Sequence, residues 1–97
     1  MDGLIESHVV VRSSESGVWH GVLLAYEPET RSVRLGDARK AHSWTGAAAT
    51  SGLALHGPGG GRITEPVRLA VVTGCSEILL ATSTATSAWE GVPAWRV

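Results

Sequence analysis

Apolar runs of strand length recur along the chain, separated by clusters of Gly, Pro, Ser and Asp. Such a rhythm predicts strands joined by short turns. Residues 7–12 (SHVVVR) form a β-branched run bounded by polar residues and read as the first strand. The SSESG cluster that follows is turn chemistry, with Gly17 free to take positive φ where a hairpin closes. Residues 18–27 (VWHGVLLAYE) return as a second strand, in which Gly21 predicts a bulge or a close backbone approach. Pro28-Glu29-Thr30 makes the next tight turn. Residues 31–35 then alternate, with Val33 and Leu35 on one face and Ser32 and Arg34 on the other. The expected product is an antiparallel meander.

Residues 36–57 (GDARKAHSWTGAAATSGLALHG) break that pattern. Gly36-Asp37 can turn or kink the chain, so 38–44 reads as a further strand or as one strand continuing past a bulge. Thr50 is a reasonable N-cap for a helix over 51–56, with Leu53 facing the core and Gly57 as a left-handed stop. A helix under two turns long survives only by packing on the sheet. The GPGGG run at 57–61 reads as a loop. It lacks the Lys-Ser or Lys-Thr of a phosphate cradle and the spacing of a dinucleotide fingerprint. Residues 66–73 and 76–82 predict two more strands around a turn at Gly74-Cys75, residues 83–90 are weakly helical or irregular, and 93–97 suggests a final short strand. The predicted fold is mainly β: a small antiparallel sheet, sandwich or half-barrel, with one short helix packed on it, in a single domain over residues 1–97.

Composition narrows the classes. At 97 residues, 43% hydrophobic and 18% charged, the chain has the makings of one modest core. A net charge of -1 argues against a protein that coats a nucleic-acid polymer, which requires an excess of Lys and Arg. The lone Cys75 precludes an intramolecular disulfide and fits a reducing compartment, or at most one intermolecular bridge. The opening MDGLIES has neither the basic nor the apolar region of a signal peptide. No apolar run approaches the ~20 residues that span a bilayer. A soluble, intracellular protein without membrane partners is therefore expected.

Little in the sequence suggests catalysis. His8, His20, His42 and His56 are too scattered for a local metal motif, and neither a GxSxG nor a cysteine motif is present. The chain reads as a non-enzyme, with no metal and no cofactor implied. Arg39, Lys40, His42 and Trp44 are the group of interest. On an extended segment Lys40, His42 and Trp44 share one face, while Arg39, Ala41 and Ser43 share the other. A cation, an imidazole and an indole together suit an anionic, aromatic ligand, the indole stacking on a ring and the cation meeting a phosphate or carboxylate. The competing reading puts Trp44 in the core and lets Lys40 snorkel at its edge. With no Phe in the chain, Trp19, Trp44, Trp89 and Trp95 must supply most of the aromatic packing, which favours the core for Trp44.

The same stretch resembles a family of small phage-encoded proteins of unknown function. Its signature runs Ala-Arg, two residues, an aromatic, one residue, Trp, one residue, Gly-Ala, and then SLxxLAxxG. The matching positions are Ala38, Arg39, Trp44, Gly46, Ala47, Leu53, Ala54 and Gly57. His42 stands where the family has an aromatic residue, and residues 49–52 depart from its serine-leucine helix start. The resemblance implies a phage or prophage origin, hence the cytoplasm of an infected or lysogenic bacterium or the virion, and a small β-rich fold. It carries no activity with it. Two classes of function follow. One is an oligomeric binding protein that sequesters an anionic, nucleotide-like host signal or metabolite at Arg39, Lys40, His42 and Trp44. The other is a virion decoration protein or an inhibitor of a host protein. A homo-oligomer is expected, because a sheet of this size leaves a face or an edge uncovered.

Overall fold

The computed structural model describes residues 2–96. After a 3₁₀ turn at Asp2–Leu4, the elements are β1 (His8–Ser13), β2 (Gly17–Glu27), β3 (Ser32–Thr45), α1 (Thr50–Leu55), β4 (Gly60–Ile63), β5 (Val67–Val72), β6 (Cys75–Leu80) and α2 (Ser83–Gly91). The meander of β1, β2 and β3 forms as its turn residues predict, with Gly17 at φ 86°. The 14-residue β3 is long enough to serve two neighbours on its far side, β5 along residues 33–38 and β4 along residues 41–45. On the other flank β6 pairs with β1. All pairings are antiparallel, and the fold is mainly β, with two short helices rather than one.

The connection from β5 to β6 determines the sheet's shape. In the order β5-β3-β2-β1-β6, these two strands stand at opposite ends. Four strand spacings in a flat sheet would hold them ~19 Å apart. Thr73 and Gly74 alone connect them, and three Cα–Cα steps reach only ~11 Å. The sheet must therefore curl towards itself, as a half-barrel left open between β5 and β6. Hydrogen bonds from Ser14 N to Gly74 O (3.0 Å) and from Cys75 N to Arg31 O (2.9 Å) fasten the connection to the meander.

Curling creates two cores. Val9, Val11, Leu23, Val33, Leu35, Ala38, Val72 and Cys75 fill one face, with Leu4 and Ile5 packed against them. Val10, Val18, Ala41, Leu53, Ala54, Ile63, Trp89 and Val92 form the other, beneath α1 and α2. Val9, Val10 and Val11 are all fully buried, so β1 is enclosed on both faces. This explains its unbroken apolar run where a half-exposed strand would alternate.

Several local details differ from the sequence expectations. Thr50 is the first residue of α1 rather than its N-cap; Ala49 holds the cap position without a side-chain bond, and the Thr50 hydroxyl lies 2.6 Å from Glu77 Oε1. Leu53 and Ala54 nonetheless bury α1 on the sheet. Residues 83–91 form a regular helix, because Thr82 caps it by accepting from Ala85 N at 3.0 Å. The last glycines of the 57–61 run enter β4 instead of remaining a loop. No strand forms over residues 93–96, although Trp95 N donates to Ile63 O at 2.8 Å; Val97 lies outside the described residues.

Two bulges on β3 decide which way its side chains point. Asp37 (φ 48°) and Ala38 both lie opposite Gly21, so the phase of alternation slips between Leu35 and Arg39. Gly21 is required there, since a Cβ would sit 2.9 Å from Gly36 O. A second slip lies between Ala41 and Ser43.

Candidate functional site

The first bulge sends Arg39 to the helix-covered face, where only 5% of it remains exposed. Its guanidinium donates to Thr64 O through Nε (2.7 Å), to Trp89 O through Nη1, and to Ile63 O (3.4 Å) and Val92 O (2.8 Å) through Nη2. Trp89 O and Val92 O belong to the C-terminal end of α2, where unsatisfied carbonyls and the negative end of the helix dipole favour a cation. Burial lowers the Arg39 pKa from its ordinary value. With four of its five N–H donors on main-chain carbonyls, Arg39 acts as a clamp joining β3, the 63–64 segment and α2.

Lys40, one residue on, points to the opposite face. It pairs across the ladder with Trp19 and places Nζ 5.8 Å from that indole's centroid. His42 stands edge-on to Trp95, with ring centroids 4.9 Å apart and planes at 65°. Arg62 covers the same indole at 5.6 Å. Trp19, Lys40, Thr64, Glu65, Val67, Trp95 and Arg96 enclose a groove of ≈ 460 Å³, a size suited to a small molecule. Arg96 Nε reaches Glu65 Oε1 at 2.7 Å in an exposed pair, which contributes little to stability and is easily exchanged.

The second bulge turns Trp44 away from this group. Its half-buried indole packs against the Leu53–Trp89 core and donates from Nε1 to Ala47 O at 3.1 Å. Of the four residues singled out in the sequence, Lys40 and His42 therefore line one neighbourhood, while Arg39 and Trp44 lie on the other face. The groove instead recruits Trp19 from β2 and Trp95 and Arg96 from the tail. The Trp-Arg pair at 95–96 carries the right residue types, but its separation from residue 40 along the chain conceals the partnership.

Arg39 also borders a ring stack on the helix side. His20 is 3% exposed and lies between His8 (centroids 5.5 Å, planes 12° apart) and Trp89 (5.0 Å, 11°). Burial, then His8, then Arg39 lower the His20 pKa to about 4, so the ring is neutral at pH 7. Trp89 is fully buried and donates its indole N–H to Leu53 O at 3.2 Å, tying α2 to α1. Among the described residues no three metal-ligating side chains converge, and no helix is long and apolar enough to cross a membrane.

No curated protein and no solved structure matches the chain. A family model matches residues 6–89, from ahead of β1 to the core tryptophan of α2, and stops short of the tail that carries Trp95. The chain belongs to the family described as Domain of unknown function (DUF6948).

Proposed function

We propose that this is a phage-type binding protein that sequesters an anionic, aromatic ligand of nucleotide type in the groove between Trp19 and Trp95. The observation that carries the reading is the pairing of two incompletely buried indoles with cations around one groove: Lys40 at Trp19, Arg62 at Trp95 and Arg96 at the rim. An indole face stacks on a heterocycle, and a stacked base contributes about 1–3 kcal/mol. Lys40 and Arg96 meet the phosphate, and Arg96 can exchange its exposed Glu65 partner for it. The ligand is held by stacking and charge with no chemistry done on it, which suits a sponge for a host signal in the bacterial cytoplasm.

Calorimetric titration against a panel of cyclic and linear nucleotides tests the proposal. Binding is expected for at least one, and Lys40→Ala or Trp95→Ala should weaken it about ten- to hundredfold without unfolding the protein. Arg39→Ala is not a fair test, because Arg39 holds the fold. Silence across the panel from folded protein would refute the proposal.

A second reading has its own observation. Val67, Leu69 and Val71 on β5 and Leu24 on β2 are exposed apolar side chains, and Leu69 and Leu24 flank Gly36 of β3. Such a stripe beside an edge strand supports assembly with a second copy of the chain, as a sequestering oligomer or a virion decoration protein would require.

A further inference from the structure

We propose a second small-molecule site on the helix-covered side of β3, the cleft beside the His8–His20 stack, which takes a planar group rich in N–H donors. Amidines, guanidines and amino-substituted heterocycles share that chemistry.

The cleft has a volume of ≈ 570 Å³ and is lined by His8, His20, Asp37, Arg39, Glu90 and the 91–94 segment after α2, among others. That volume falls within the ordinary range for small-ligand pockets. Two of the residues that line it carry polar atoms that the fold leaves unsatisfied, His8 Nδ1 and His20 Nε2, both buried and without a hydrogen-bond partner. A buried polar atom without a partner is costly and calls for an explanation. Only one other side-chain atom among the described residues shares that condition, Ser16 Oγ, so the two histidines concentrate the deficit at one place.

The charge around the cleft selects the ligand. His20 is neutral at pH 7 and therefore keeps one ring nitrogen as an acceptor. Arg39 contributes a positive charge, but four of its five N–H donors are already bonded to carbonyls. Asp37 and Glu90 are both exposed, and neither is in an ion pair among the described residues. An anion would meet those carboxylates; a planar donor would find acceptors in the carboxylates and the imidazole. Asp37 holds φ 48°, a conformation costly for most residues, at the bulge that brings it to the cleft. Because Arg39 and Lys40 are adjacent on β3 and point to opposite faces, this cleft and the Trp19–Trp95 groove are separate sites.

Binding can be followed in the full chain by NMR of the histidine imidazoles during titration with benzamidine, cytosine and, as an anionic control, benzoate. Benzamidine or cytosine should shift the His8 and His20 signals with Kd of about 1 mM or below. The amidine responding alone assigns a cationic donor, and cytosine responding assigns an amino-heterocycle. Benzoate should leave the signals in place. The Asp37→Asn/Glu90→Gln double variant should bind at least about tenfold more weakly with an unchanged melting temperature, since asparagine tolerates positive φ and Glu90 is exposed. Absence of imidazole shifts with both donors at 10 mM, about ten times that Kd, would overturn the proposal. Benzoate binding as tightly as benzamidine, or a double variant that binds like wild type, would overturn it equally.

Discussion

His20 is buried between two rings and close to a guanidinium, so folding weakens its hold on a proton. Its pKa falls from 6.5 to about 4 on folding, through burial first and then the charges of His8 and Arg39. The unfolded chain therefore binds the proton more readily, and stability rises with pH across that window. The His20 contribution is fully present above pH 6.5 and is lost progressively as pH falls to about 4, a loss of about 3 kcal/mol. Urea denaturation at pH 7.5, 5.5 and 4.5 measures it. His20→Phe keeps a ring in the stack and removes the titration, so its slope between pH 6.5 and 4 should be clearly shallower. Equal slopes for the two proteins would show that His20 is not the titrating group. Trp44 illustrates the same dependence on surroundings: it has a core role on one side and a main-chain bond to Ala47 on the other.

At the scale of elements, α2 depends on contacts from far along the chain. Thr82 caps its start, Trp89 plugs the core, and Arg39 binds its C-terminal carbonyls. Gly57 lets α1 and α2 approach, since a Cβ there would lie 2.6 Å from Ala88 Cβ. Arg39→Lys keeps the charge but cannot reproduce a planar fork that reaches four carbonyls. It should cost about 2–3 kcal/mol, because several buried acceptors lose their donor. Amide hydrogen exchange should show the loss first at the end of α2, while the β1–β2 ladder stays protected; uniform loss across the chain would contradict the clamp.

Most strands were legible in the sequence, because β-branched runs, Gly17 and Pro28 signal local geometry directly. The regularity of α2 was less visible, since its sequence STATSAWEG is weakly amphipathic and, beyond the local Thr82 cap, its anchors Arg39 and Leu53 are distant in sequence. The candidate site was half legible. Lys40 and His42 are adjacent to its indoles, and alternation alone already sets Arg39 on the face opposite Lys40, but the slip between Ala41 and Ser43 that removes Trp44 depends on pairing with β4. No reading of β3 alone contains that slip.

For the molecule as a whole, the same curl that encloses one core leaves β5 with Val67, Leu69 and Val71 facing out. A second copy would cover this stripe and satisfy the strand edge at once. Light scattering at micromolar concentration should therefore report a dimer or larger assembly, and Leu69→Asp should shift it towards monomer. A monomeric wild type would remove the basis for a two-fold sponge.

The central claim, ligand capture between Trp19 and Trp95, has a direct readout in the four tryptophans themselves. Trp19, Trp44 and Trp89 donate their indole N–H to Ser16 O, Ala47 O and Leu53 O, so each reports a distinct environment. The decisive measurement is a two-dimensional NMR titration of the indole N–H signals with the tightest-binding nucleotide. Trp19 and Trp95 should move in step with the binding isotherm while Trp44 and Trp89 hold still. A titration that moves Trp44 or Trp89 and leaves Trp19 and Trp95 unchanged would contradict the account.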